Sequence, residues 1–204
     1  MRRAAYDVSV IIPFSDDEEV IGRACRQVAR HLRELGARFE LLAVDEDSGD
    51  NSHAVLALVR GEVPELRVIV VGDAERGFAE GARQARGRVL WLVPPRAALS
   101  PLSPLARARR RVVSGGCDVA IVPGRFAVCH RTRSLPVVES LRSGDGYIER
   151  LRKRAEARRL EVDVHKPEPG PPGPGHAGSH AAARTEPRAD GRLSRFLEVL
   201  GLAR

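Results

Sequence analysis

Val8-Ser9-Val10-Ile11-Ile12-Pro13, closed by Asp16, Asp17, Glu18 and Glu19, and Leu41-Leu42-Ala43-Val44, closed by Asp45, Glu46, Asp47 and Asp50, are the two stretches whose reading decides the fold. Each is an apolar run of strand length that ends in a burst of carboxylates. Acid at the carboxyl ends of parallel strands marks a ligand crevice, because that edge of an open α/β sheet is where the loops converge.

Outward from these runs, strand and helix patterns alternate with short connections, which predicts βαβ units and a largely parallel sheet. Ile21, Ala24, Cys25, Val28, Leu32 and Leu35 recur at helical spacing, with acids expected in the first turn and Gly36 as the stop. A strand at 40–44 leads into a helix from Ser52 through Arg60. A strand at 66–71, a helix at 77–86, a strand at 89–92, an amphipathic helix at 102–113 and a strand at 119–122 follow. A helix at 149–159 then enters a last strand at 160–164.

The chain has 204 residues, of which 43% are hydrophobic, enough for one domain with a proper core. Its formal net charge of +7 raises nucleic acid as a partner, but the arginines are scattered over every expected element and aromatic residues make up only 4%. Stacking platforms for bases are therefore scarce, and no nucleic acid is expected. Cys25, Cys117 and Cys129 have no C-x-x-C spacing and read as buried thiols of a reducing compartment. The apolar stretch after Met1-Arg2-Arg3 is too short for a signal peptide or a membrane span, so a cytoplasmic location is expected.

Composition changes sharply after position 165. Pro167, Pro169, Pro171, Pro172 and Pro174 alternate with glycines, a mixture that cannot bury enough surface to offset chain entropy. The expected organisation is a folded domain over 1–165, a disordered Pro/Gly-rich linker over 166–190 and a short amphipathic helix over 191–204. The Leu193, Phe196, Leu197 and Leu200 face of that helix has two candidate partners: an acidic membrane surface, giving peripheral contact, or the domain itself or another protein.

The run Val8 to Pro13, its acidic loop, and Val44-Asp45-Glu46-Asp47-Ser48-Gly49-Asp50-Asn51-Ser52 together resemble the family 2 glycosyltransferases, where the second segment usually reads V-D-D-G-S-x-D-x-T. Arg76-Gly77, Gly81, Ala85, Gly87 and Val89-Leu90-Trp91-Leu92 sit where that family has spaced glycines before a strand. Pro123-Gly124-Arg125-Phe126 resembles the G-S-R-Y of the polyprenyl-phosphate sugar transferases. The likeness covers about residues 6 to 165. It implies a GT-A-like (Rossmann-like) α/β fold, a mostly parallel sheet flanked by helices, with a nucleotide diphosphate sugar as the partner.

Carried over residue by residue, the resemblance puts Pro13, Asp17, Asp45 and Glu46 around the base and ribose, where carboxylates accept hydrogen bonds from ring N–H and sugar hydroxyls. Helix capping is the plainer role for residues 16–19. The second loop fits that role less well, since neighbouring carboxylates about 4 Å apart repel by up to about 4 kcal/mol at an effective dielectric near 20.

Two departures limit what is inherited. The family's metal-binding D-x-D falls on Val93 and Pro95, whose side chains offer none of the hard oxygen donors that Mg²⁺ or Mn²⁺ requires, so no metal cofactor is expected. Arginines at the expected loop edges, Arg76, Arg96, Arg125 and Arg131, are then the candidates for meeting phosphate, with Arg76 and Arg125 foremost. The acceptor region between Arg125 and the closing helix is also short. Asp145, in Ser143-Gly144-Asp145-Gly146, is the candidate catalytic base and equally a turn residue. Two functions stay open: a transferase moving sugar to a lipid-phosphate or saccharide acceptor, and a catalytically silent nucleotide- or partner-binding module.

Overall fold

A computed structural model describes residues 5–165. Seven strands form one sheet in the order β3-β2-β1-β4-β6-β5-β7. The strands are β1 (Tyr6–Phe14), β2 (Phe39–Asp45), β3 (Leu66–Val70), β4 (Gly87–Leu92), β5 (Val119–Val122), β6 (Phe126–His130) and β7 (Val162–Val164). β1 runs parallel to β2 and to β4, and β2 runs parallel to β3. β6 alone is reversed: it pairs antiparallel with both β4 and β5, while β5 and β7 are again parallel.

The side-chain alternation of each strand builds two cores. On β1, Val8, Val10, Ile12 and Phe14 face one layer while Ile11 faces the other; on β4, Val89 and Trp91 oppose Leu90 and Leu92. The first layer is covered by α1 (Ile21–Glu34), α2 (Ser52–Glu62), the short α4 (Pro95–Ala98) and α5 (Pro104–Val113). The second is covered by α3 (Gly77–Gln84), α6 (Arg131–Val138) and α7 (Tyr147–Ala157). Each fully buried Leu, Ile or Phe contributes about 1.5–3 kcal/mol, so these two layers hold the helices against the sheet. Trp91, fully buried, packs edge-on against Phe126 at 5.5 Å between ring centroids.

The α/β class and the mostly parallel sheet agree with the sequence reading. Three elements do not appear in it: β6, α6 and the single turn of α4. The acids expected in the first turn of α1 precede the helix instead, which has none in that turn. All three cysteines are free and buried. The stretches expected as a Pro/Gly-rich linker (166–190) and a short amphipathic helix (191–204) lie outside the described residues.

Two glycines explain how closely α3 approaches the sheet. A Cβ on Gly77 would come within 2.5 Å of the Pro13 Cβ, and one on Gly81 would strike Ile11. The spacing Gly77 to Gly81 is therefore a packing requirement, which brings the start of α3 against the ends of β1 and β2.

Candidate functional site

The ends of β1 and β2 lie side by side, with Phe14 opposite Asp45 in the register. Their loops are sewn together by carboxylates. Asp16, in the left-handed region at φ 51°, accepts the Gly49 amide at 2.7 Å and the Asp50 amide at 3.2 Å, and its own amide donates to Ser48 Oγ at 3.1 Å. Asp50 accepts the Glu18 amide at 2.9 Å, and Glu18 accepts the Asn51 amide at 2.9 Å. Backbone donors thus offset the repulsion that the sequence raises, and these three acids have partners in the opposite loop.

Three further acids, Asp45, Glu46 and Asp17, sit deeper, while Glu19 and Asp47 are exposed. Asp45 accepts the Ser48 amide on one oxygen at 2.9 Å, while the other lies 2.5 Å from His53 Nε2. Burial works against its ionisation, but the bonds from Ser48 and His53 prevail and its pKa is lowered. Glu46 accepts the Gly77 amide at 2.5 Å and a hydrogen bond from Ser143, so it caps α3, yet burial, helped by Glu75 and Asp45, holds its pKa above the ordinary value. Asp17 is likewise raised, chiefly by burial, with Asp50 and Asp16 adding to it and the Ser15 amide and Arg96 opposing. Pro13 touches the start of α3 through Gly77.

Beside these ends, at the β4 side of the same edge, an open cleft of about 460 Å³ is lined by Pro94, Gly124, Arg125, Ser143, Asp145 and Glu149, among others. Arg125 stands there because β6 is reversed: the tight turn through Gly124 (φ 68°) starts β6 where β4 ends. Its guanidinium also donates to the Pro101 carbonyl. Asp145 is exposed on the facing rim. The rim is held by Arg150, which donates to the carbonyls of Arg142 at 3.0 Å and Gly144 at 2.8 Å. The floor is set by Tyr147, buried against Phe78, whose hydroxyl donates to the Leu92 carbonyl at 3.1 Å.

The structure thus brings Arg125 and Asp145 to one cleft. Asp17, Asp45 and Glu46 line the neighbouring strand ends and are not among the residues of that cleft, although Ser143 joins Glu46 to its wall. Arg76 precedes α3 on the same edge and lies 3.9 Å from Asp73. Arg131 is on the other edge, because β6 ends there, with His130 opposite Val89 near the start of β4. It is corrected from the set of candidate phosphate ligands.

A divalent ion does not fit the place that the D-x-D resemblance indicates. Val93 is fully buried in the first core layer and Pro95 is buried at the start of α4, so both positions present carbon. Among the described residues no group of three or more His, Cys, Asp or Glu could hold a metal ion.

His53, Ser143, Tyr147 and Arg150 stand at these strand ends and this cleft, and sequence reasoning does not single them out. The one local signal was Asn51-Ser52-His53 opening a helix directly after the acidic loop, which places His53 over Asp45. The other three depend on how α7 packs.

No family model matches the chain, and no curated protein matches it. Its fold is that of solved nucleotide-sugar glycosyltransferases. A mannosyltransferase from Pyrobaculum calidifontis in complex with GDP-Man and Mn²⁺ superposes at TM-score 0.66 with 12% identity, over 79% of this chain and 55% of that one. S. aureus TarS (residues 1–349) in complex with UDP gives 0.56 with 16% identity, over 79% and 58%. Glucosyl-3-phosphoglycerate synthase from Mycobacterium tuberculosis, with Mn²⁺ and UDP, gives 0.55 with 13% identity, over 81% and 74%. The chain spans little more than half the length of the first two. Among the described residues no helix is long and apolar enough to cross a membrane.

Proposed function

We propose that this chain binds a nucleotide diphosphate sugar at the edge where β1, β2 and β4 end, and transfers the sugar to an acceptor seated in the adjoining cleft. The observation that carries the reading is the neighbourhood of two groups: the strand ends bearing Asp17, Asp45 and Glu46, and the cleft bearing Arg125 and Asp145. Pro13, Asp17, Asp45 and Glu46 form the nucleoside side. Arg125, with Arg76 at the start of α3, offsets the charge of the diphosphate without a metal, a task suited to guanidinium.

In the transfer, an acceptor oxygen attacks the anomeric carbon as the bond from that carbon to the diphosphate oxygen breaks, and the nucleoside diphosphate leaves with the electron pair. A hydroxyl acceptor gives its proton to Asp145; an ionised lipid phosphate gives none. The family 2 assignment, with a polyprenyl-phosphate type of acceptor and a cytoplasmic setting, belongs to this reading. So does the division into a domain over 1–165, a linker and a terminal helix touching a membrane surface. The fold and the G-S-R-Y-like turn at Arg125 support it.

A second reading is a catalytically silent relative that keeps the nucleotide and has lost transfer. The carbon at Val93 and Pro95 and the commitment of Asp16, Glu18 and Asp50 to backbone amides favour it. Calorimetric titration with a panel of UDP- and GDP-sugars in EDTA, followed by assay of nucleotide release with a polyprenyl phosphate or a saccharide added as acceptor, separates the two. Binding with release supports the transferase, binding without release supports the module, and no binding to any of them removes the nucleotide claim and leaves only a partner-binding module.

A further inference from the structure

We propose that His53, positioned by Asp45, is the residue that reads the base of the nucleotide; this inference rests on the reading just given. Asp45 is poorly placed to do so itself. Its side chain is only 4% exposed, one oxygen is taken by the Ser48 amide and the other by His53 Nε2 at 2.5 Å. The imidazole, by contrast, is 46% exposed beside the end of β1, with its edge near Phe14 at 6.2 Å between centroids. Phe14 is buried and leaves no aromatic face open there.

The contact also fixes what the ring offers. Asp45 is held ionised by its bonds, so it accepts, and the hydrogen must sit on Nε2. With the hydrogen on Nε2, the ring in its neutral form presents the lone pair of Nδ1, for which no protein donor is found among the described residues. An outward acceptor on a ring of fixed orientation selects a base with a ring N–H, as uracil and guanine have. It disfavours cytosine and adenine, which turn an unprotonated ring nitrogen to the same position. His53 is thus a specificity residue and Asp45 a positioning residue.

The test is a calorimetric titration of the full chain at pH 8 with UDP, GDP, CDP and ADP, for the unaltered protein, His53→Ala and Asp45→Asn. UDP and GDP are expected to bind at least tenfold more tightly than CDP and ADP. His53→Ala should erase that preference while the circular dichroism spectrum is unchanged. Asp45→Asn keeps an oxygen for Ser48 and turns its NH2 toward Nε2, which moves the ring hydrogen to Nδ1, so it should erase or reverse the preference. If UDP binds and either His53→Ala or Asp45→Asn keeps the full preference, the assignment to His53 positioned by Asp45 is overturned while nucleotide binding stands. If no nucleotide binds the unaltered protein, the functional reading falls and this inference falls with it.

Discussion

The amide of Gly77 donates to the Glu46 carboxylate at 2.5 Å, so the start of α3 is fastened to the residue that follows β2. No side chain separates the helix from the strand ends, because a Cβ at Gly77 would lie 2.5 Å from Pro13 Cβ and 2.8 Å from Glu46 Oε1. Gly77→Ala should therefore push α3 outward and destabilise the domain by about 1–3 kcal/mol, as overpacking does. Urea denaturation followed by circular dichroism measures it, and an unchanged midpoint would contradict the contact.

Glu46 also gives the domain a pH dependence. Its pKa is higher folded than unfolded, mainly through burial, so the folded state holds the extra proton between the two values. Stability from this group is greatest below the ordinary glutamate pKa and declines as pH rises through the raised one. Glu46→Gln still accepts from Gly77 and should flatten that decline. Parallel denaturation curves from pH 4 to 8 show whether the slope changes.

Asp45 acts in the opposite direction. Despite burial, its bonds from Ser48 and His53 lower its pKa, so its contribution is present above the unfolded aspartate value and is lost as pH falls through the folded one. Asp45→Asn should cost about 1.5–3 kcal/mol at pH 7, the range for hydrogen bonds to a charged group, and much less at pH 3. Equal losses at both pH values would show that its charge has no part.

Tyr147→Phe removes the hydroxyl that reaches the Leu92 carbonyl at the floor of the cleft. A loss of about 0.5–1.5 kcal/mol is expected, the net value of one hydrogen bond. Thermal melting of the variant, compared with the unaltered protein, gives the number.

The thiols give an independent check of the two core layers. Burial pushes Cys25 up to about 12 and Cys117 up to about 11, and raises Cys129 as well. A thiol-reactive chromophore at pH 8 should label the native chain only at the pace of unfolding and label three sites at once in denaturant. Rapid native labelling would place a thiol at the surface.

Much of the fold was legible because the apolar runs at β1, β2 and β4 and the 3.6-residue spacing on α1 are strong local signals. β6 was not, since Phe126 to Cys129 is a short run after a turn, and its insertion between β4 and β5 is decided by pairing far along the chain. That same reversal sends Arg125 to the cleft and Arg131 away from it, a distinction no local pattern carries. The acidic loops were visible as a cluster, but the sequence could not tell which carboxylates find amides. Asp16 does so only because its backbone adopts φ 51° and turns the side chain toward Gly49.

The bonds between residues 16–18 and 48–51 have a mechanical consequence. Two loops more than thirty positions apart along the chain are joined into a single plate, so displacing one breaks bonds held by the other. A visitor arriving at either one is met by both, and its approach must bend the whole plate or leave it at rest.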